Sequence, residues 1–447
     1  MLSEDSHLLT DEPVETFSDY LAAGGGEGLS RALSMDAGDV LAEVARSGLR
    51  GRGGAGFPTG RKWASVVEAA GAGPVHLVCN AAEGEPATYK DRALMARNPW
   101  QLLEGVLITR HATGATRCFV GVKERFSREC RRLVEARDAM AAAGWMDAED
   151  VRVVFGPDEY LFGEESAMLE VIERKLPLPR ILPPYMAGLF ATMQSPNPTV
   201  VNNCETLCHV THILAKGVDW FRRRGTQEAP GTMVFTVVGD VASPGVYELP
   251  LGTPLRWLVE EIAGASDIKA IYGGTSNAVV TPDLLDLPMD FDSFREAGTG
   301  LGSGGFVVYD ASRCIVQVTA VLARFLAVES CGQCLACKLG NLEISELLDK
   351  LVRGEGSTAD LDAIAKRCQT VTDGNRCYLP VGTQLLVGST IGTFAEEFAA
   401  RVGTPTPPEA FVPVPKVERI DDRTGEVVFD PDYDRKRPDW SYSPARG

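Results

Sequence analysis

The chain has 447 residues, 45% of them hydrophobic and 23% charged, with a net charge of -17. That length exceeds a single compact core and calls for two to four domains, and so acidic a chain lacks the phosphate-neutralising surface that nucleic-acid binding requires. No apolar run reaches membrane-spanning length, and the opening MLSEDSHLLTDEP has no apolar core for a secretory signal, so direct membrane insertion and export are not expected. Residues 1–35 read as a lead-in helix or tail. From 36 to about 225, glycine-rich turns alternate with strand-like runs at 75–80, 118–122 and 151–156 and with helical stretches at 92–112 and 124–143. Such alternation predicts an α/β layer structure. From 231 to about 310, two strands joined by Ser-Pro-Gly precede the helical LRWLVEEIAG, which predicts a small hairpin-plus-helix domain. Residues 314–402 have helical periodicity. The tail from 403 is proline-punctuated and charged, and is expected to lie extended over this or another subunit.

Eleven cysteines without a secretory signal point to thiols or metal ligands in a reducing compartment. Cys331, Cys334 and Cys337 recur every third residue in ESCGQCLACKLG, a spacing that converges three sulfurs on one inorganic cluster. A four-iron, four-sulfur cubane needs a fourth ligand. Cys377, in the turn-like DGNRCYLPVG, is the first candidate and Cys368, in the helical AIAKRC, the second. Zinc is the alternative, but structural zinc sites usually pair two CxxC knuckles and no second pair exists. Cys79, Cys118, Cys130, Cys204, Cys208 and Cys314 lie in apolar or mixed settings and read as packed thiols.

Residues 47–63, SGLRGRGGAGFPTGRKW, combine six glycines with Arg50, Arg52, Arg61 and Lys62. Backbone N–H groups in such a loop approach a phosphate or a flat ring closely, and the cations suit phosphate. The loop matches neither a Walker motif nor GxGxxG. Further along, CNAAEGEPATYKDR puts Glu83 and Glu85 just after a strand, where ligands gather in α/β folds. YLFGEESAMLE supplies Glu164 and Glu165, and VVNNCETL supplies Asn202 and Asn203. Amides suit a flavin's pyrimidine edge and carboxylates suit ribose hydroxyls. Each residue also has an ordinary use as helix cap, turn or solvated face.

These strings, with SPGVYELPLG and LGSGG, occur in an order that resembles the NADH-oxidising flavoprotein subunit of respiratory complex I, and related subunits of NAD-linked hydrogenases and formate dehydrogenases. The resemblance spans roughly residues 40–400. It implies a Rossmann-like FMN-binding α/β domain (36–230), a β-grasp domain of the SLBB type (231–313) and a helical bundle carrying the iron–sulfur cluster (314–402). It implies FMN contacts at Gly51, Arg52, Gly53, Gly54, Lys62, Asn80, Glu83, Tyr160, Gly163, Glu164, Asn202, Asn203 and Thr206. It also implies cluster ligation by Cys331, Cys334, Cys337 and Cys377, and NAD(H) contacts at Phe57, Glu85, Glu165 and Tyr185. No side-chain nucleophile or acid–base dyad is required. A separate thioredoxin-like 2Fe-2S subunit and a further iron–sulfur electron-transfer subunit are the implied partners, in the cytoplasm or at the inner face of a membrane.

The departures from the family pattern concentrate on the dinucleotide. The acidic residue after CNA is Ala82, the aromatic two residues past the loop's Trp is Ser65, and the family's RxKPPFP reads RILPPYM, with Leu182 for Lys and Tyr185 for Phe. A longer ATMQSPN precedes PTVVNN. The alternatives are therefore a relay that keeps FMN and cluster but takes electrons from another donor, and a structural subunit of a larger redox complex.

Overall fold

The computed structural model describes residues 7–421 and 424–444. Residues 1–6 of the lead-in, and 422–423 and 445–447 of the tail, lie outside the described residues. Two compact units form: the first gathers the chain up to Gly84, Tyr89–Phe235 and Val246–Thr253, and the second gathers Glu85–Thr88, Thr236–Gly245 and the chain from Pro254 onward.

The apolar runs of the first unit build one sheet. β1 (Val75–Ala81), β2 (Ala115–Lys123), β3 (Val151–Gly156) and β4 (Thr199–Asn203) pair in the order β3-β2-β1-β4, every pairing parallel. β1 is buried along almost its whole length, as a strand covered on both faces must be, so VHLVC runs apolar without alternation. Because β2 and β3 build out on one side of β1 and β4 pairs on the other, strand order reverses between β1 and β4. The crevice beyond the carboxyl ends of two such strands is where parallel α/β sheets bind ligands.

One expected helix, 92–112, is two. The Asn98 side chain accepts from the Gln101 N–H and Pro99 occupies the first helical position, so Lys90–Arg97 ends and Pro99–Thr113 starts afresh. The lead-in holds two short helices, Phe17–Ala22 and Glu27–Leu33. Its segment 7–9 is tied down where the N–H groups of His7, Leu8 and Leu9 all donate to the buried Glu248 carboxylate.

A second sheet has the order β6-β5-β8-β7, from β5 (Thr232–Gly239), β6 (Gly245–Pro250), β7 (Ile268–Tyr272) and β8 (Gly305–Asp310), with β5 parallel and β7 antiparallel to β8. The helix expected after the two strands β5 and β6 winds as a π-helix over Trp257–Ile262 and precedes β7. Within the second unit, helices Ile315–Glu329, Leu335–Val352, Thr358–Thr370, Leu379–Thr393 and Ala395–Ala400 follow. Ile315–Glu329 is apolar and buried nearly all round, which marks it as the central helix. The tail is not simply extended. β9 (Val417–Ile420) and β10 (Val427–Phe429) form an antiparallel pair, and Val414, Val417, Ile420 and Tyr433 are buried.

Candidate functional site

β1 and β4 lie side by side with Cys79 opposite Asn202 and Asn80 opposite Asn203, so three amide side chains reach the carboxyl edge of the sheet where strand order reverses. Asn80 donates from Nδ2 to the Gly163 carbonyl at 2.7 Å, joining that edge to the turn Tyr160–Gly163. Asn202 Oδ1 accepts from Trp63 Nε1 at 2.7 Å. Lys62 Nζ donates to Glu165 Oε2 at 2.9 Å and to the Val201 carbonyl at 3.0 Å. The Arg52 N–H donates to Thr206 Oγ1 at 2.9 Å, and a Cβ on Gly53 would lie 3.1 Å from Asn203 Cβ, tighter than ordinary contact, so glycine eases the loop's approach there. The structure thus brings all thirteen expected FMN positions onto four segments meeting at one sheet edge.

Several of these side chains have protein partners that the sequence alone did not assign. Arg52 is fully buried and its guanidinium donates to the carbonyls of Thr232, Arg50 and Pro230 at 2.8–3.0 Å. Burial pushes its pKa down to about 10. Arg52 therefore shapes the loop from inside, and the expectation that its charge faces a phosphate is corrected. Asn203 caps the helix Cys204–Lys216 by accepting from the Glu205 N–H at 3.0 Å, while its Nδ2 donates to Asp91 at 2.6 Å. Glu164 caps the helix Glu165–Ile172 by accepting from the N–H groups of Ser166 and Ala167, and burial raises its pKa despite those bonds. Glu83 accepts from the Asp91 N–H and pairs with Arg92, which stacks on Tyr89 and Phe126. What faces a ligand from this edge is then mostly amide and backbone N–H, with Lys62. That donor set fits the carbonyl edge and phosphate of a flavin nucleotide.

Beneath Asn203 lies a charge cluster that sequence reasoning missed. Lys90 Nζ is 2.7 Å from Asp91 Oδ1 and 2.8 Å from Glu205 Oε2, all three side chains buried. Burial opposes the Lys90 charge, but Asp91, Glu205 and Glu83 outweigh it and hold the ammonium above its usual range. Burial works against Glu205 as well; Lys90, His209 and Arg52 overcome it and leave the carboxyl at about 2. The available signal was the charged run Lys90-Asp91-Arg92 at the start of a helix.

The expected dinucleotide positions divide. Phe57 is exposed, with Arg61 over its ring at 5.9 Å, Tyr185 and Leu182 are exposed, and Glu165 is paired with Lys62. Glu85 belongs to the second unit, where its carboxylate accepts from the N–H and hydroxyl of Thr275 and from Ser276. Ser65 bonds back to the Arg61 carbonyl, and Ala82 lies buried in the apolar core with Val78, Phe162 and Met168.

In the second unit, the helix Ile315–Glu329 stops at Ser330, the chain turns through Gly332 at φ +83°, and Cys334 opens the helix Leu335–Val352 with Cys337 in its first turn. Polar donors reach the sulfurs: Ser330 Oγ lies 3.3 Å and Asn341 Nδ2 3.6 Å from Cys337 Sγ, and Gln333 Nε2 lies 3.7 Å from Cys331 Sγ. Thr383 orients Asn341 by donating to its Oδ1 at 2.7 Å. Burial pushes the Cys337 thiol up, with Cys334 and Cys331 adding to it against the Ser330 and Asn341 hydrogen bonds. Arg376, next to Cys377, donates to Gln333 Oε1 at 3.0 Å, a bond between the Cys377 turn and the loop of the first three cysteines. Among the described residues no three such side chains close on a single ion. A cubane holds its thiolates farther apart than one ion does, and three partly exposed thiols with the buried Cys337, met by polar groups at Cys331 and Cys337, fit it. The six cysteines read as packed thiols are all buried.

Comparison with known proteins agrees with this geometry. The Nuo51 FMN-binding domain matches residues 44–212, the SLBB domain 234–276, and the NADH-ubiquinone oxidoreductase-F iron-sulfur binding region 317–401. An NADH-quinone oxidoreductase subunit of Rhizobium meliloti is 39% identical over 89% of this chain and 95% of its own. The chain belongs to the family of FMN-binding, iron–sulfur subunits of NADH-quinone oxidoreductase. It is an oxidoreductase subunit with FMN-binding, SLBB and 4Fe-4S regions. The NADP-reducing hydrogenase subunit HndC of Solidesulfovibrio fructosivorans is 35% identical over 87% of this chain and 81% of its own. The crystal structure of an NAD+-reducing NiFe hydrogenase in the air-oxidized state superposes with a TM-score of 0.78 at 32% identity, over 90% of this chain and 68% of that one. No helix among the described residues is long and apolar enough to cross a membrane.

Proposed function

We propose that this subunit receives electrons from NAD(H) on an FMN held at the β1–β4 edge and delivers them singly through a 4Fe-4S cluster to a partner. FMN, when bound, supplies the chemistry that accepts a hydride and gives up electrons one at a time, and the cluster supplies one-electron storage. The chain's own work is positional. Gly51, Gly53 and Gly54 bring backbone to the nucleotide, and Lys62 offers positive charge. Asn80, Asn202 and Asn203, fixed by their partners, present amides of defined orientation, while Tyr160, Gly163 and Thr206 complete the rim. Arg52, Glu83 and Glu164 hold these segments in place. Phe57, Glu85, Glu165 and Tyr185 are the proposed dinucleotide contacts. Cys331, Cys334, Cys337 and Cys377 ligate the cluster.

The domain limits that suit these roles are 36–230, 231–313 and 314–402, with 1–35 leading in and 403–447 as the tail. A thioredoxin-like 2Fe-2S subunit and a further iron–sulfur subunit are the proposed partners, with the assembly cytoplasmic or at the inner face of a membrane. The observation that carries the proposal is the convergence of the glycine loop and three asparagines at the point where strand order reverses. A second reading, a relay fed by a donor other than NAD(H), is favoured by one observation: Ala82 and Ser65 offer neither charge nor aromatic face where the family places them. An anaerobic titration followed by visible absorbance separates the two. Bleaching of bound flavin by NADH supports the first reading; a flavin bleached only by dithionite or a reduced partner supports the second; protein that binds no flavin overturns both.

A further inference from the structure

Lys338 directly follows the third cysteine of the loop, and its ammonium is held by carbonyls from three places. Nζ donates to Ser330 O at 2.7 Å, to Pro438 O at 2.6 Å and to Ala327 O at 3.4 Å. Ser330 immediately precedes Cys331, so the ammonium bridges both ends of the cysteine loop. Pro438 comes from the far end of the chain, a hundred residues downstream.

Its presence there is built. Trp440 Nε1 donates to Val328 O at 3.0 Å, and Arg324 donates to the carbonyls of Asp434 and Lys436 at 2.9 and 3.0 Å. Lys436 Nζ and the Tyr433 hydroxyl both meet Glu329 Oε1, at 2.9 and 3.0 Å, with all three side chains buried. The segment turns back through Arg437 N–H to Ser441 O at 2.8 Å, and Trp440 sits at φ +68°, a conformation a tryptophan keeps only where its surroundings hold it. The tail residues 433–442 are thus fastened to the end of the helix that leads into the cysteine loop, and their turn delivers one carbonyl to Lys338.

We propose that Lys338, locked by this C-terminal turn, sets the reduction potential of the cluster held by Cys331, Cys334, Cys337 and Cys377; the inference rests on the cluster ligation proposed above. Reduction adds a negative charge to a thiolate-bound cluster, and iron–sulfur potentials respond to nearby charge and to solvent exposure. An ammonium whose donors are met by carbonyls of the helix end and the C-terminal turn is held in place beside the cysteine loop. Its positive charge beside the thiolates favours the reduced cluster, and the turn fixes where that charge sits.

The test is a redox titration of the cluster by EPR on the anaerobically reconstituted full chain. Lys338→Met is expected to lower the midpoint by about 59 mV, a roughly tenfold smaller ratio of reduced to oxidised cluster at fixed potential, with iron and acid-labile sulfide content unchanged. Lys338→Arg is expected to stay near wild type, and Trp440→Ala, which frees the turn, to move the midpoint in the same direction as Lys338→Met. If Lys338→Met does not fold, Lys338→Gln serves the same comparison. A wild-type midpoint in a fully loaded neutral variant overturns the inference alone. Wild-type protein that binds neither iron nor sulfide overturns the cluster ligation and this inference together.

Discussion

Lys90 places its ammonium 2.8 Å from Glu205 and 2.7 Å from Asp91 in the interior directly under Asn203. Two buried carboxylates on one ammonium survive because each supplies what the others lack, and Asn203, which bonds both Asp91 and the Glu205 N–H, is oriented by them. Lys90→Met leaves both acids without their cation. Breaking a buried pair in this way costs ~3–5 kcal/mol, so a clearly lower urea midpoint is expected, with flavin released before global unfolding. Adding Glu205→Gln to Lys90→Met removes one of the stranded charges and recovers part of the loss. Denaturation followed by far-UV signal and flavin fluorescence checks both, and an unshifted midpoint in the single variant would show that the cluster contributes nothing.

His212, half-buried on the helix Cys204–Lys216, gives a pH prediction with a definite sign. Burial, aided by the Lys216 charge, pushes its pKa down from 6.5 to about 3. Above pH 6.5 the ring is neutral folded and unfolded, and contributes no pH dependence. Between 6.5 and 3 the unfolded chain binds a proton that the folded ring refuses, so stability falls as pH falls, by up to ~1.4 kcal/mol per pH unit. His212→Gln is expected to flatten that slope over the same window. Unfolding midpoints at several pH values for the two proteins test it; parallel curves would contradict it.

The layout and cofactor segments were legible because they rest on local patterns. Unbroken apolar runs gave β1 to β3, glycine spacing marked the loop, and three cysteines at every third position marked the cluster. The direction in which polar side chains face was not legible. Arg52 reads as a phosphate contact in the glycine loop, but two of its three acceptors are carbonyls some 180 residues away, which no local pattern reveals. Asn98-Pro99 carried a helix-start signal that the apolar periodicity of 92–112 concealed. The tail looked unable to pack because its apolar residues are few and separated by prolines; Tyr433 and Lys436 are buried through long-range bonds to Glu329 rather than through periodicity.

Ser65 offers a direct probe of dinucleotide use. It is exposed on the helix Thr59–Ala70, one turn beyond Arg61, to whose carbonyl its hydroxyl donates at 2.9 Å. Ser65→Phe places an aromatic face there at no cost to a buried hydrogen bond. Stacking beyond area burial is worth ~0.5–1.5 kcal/mol, so the KM for NADH is expected to fall by roughly two- to tenfold with kcat little changed. Steady-state diaphorase assays with an artificial acceptor measure this. An unchanged KM would mean that no dinucleotide ring lies over this helix.

The choice between the two cysteines beyond the triad can be settled by substitution. Cys368 lies buried in the helix Thr358–Thr370, and burial pushes its thiol up to about 11, which disfavours the thiolate that iron requires. Cys377 is only partly buried and follows Arg376, whose bond to Gln333 ties it to the loop of Cys331 and Cys334. Cys377→Ser is expected to lose most bound iron and sulfide after anaerobic reconstitution. Cys368→Ser should retain them and lose only ~1–3 kcal/mol of stability, the cost of a hydroxyl in an apolar site. Iron and acid-labile sulfide assays with thermal unfolding on both variants decide the matter. If Cys368→Ser empties the site while Cys377→Ser keeps its iron, the ligand set must be redrawn around the helix, and the turn at Cys377 becomes a structural feature alone.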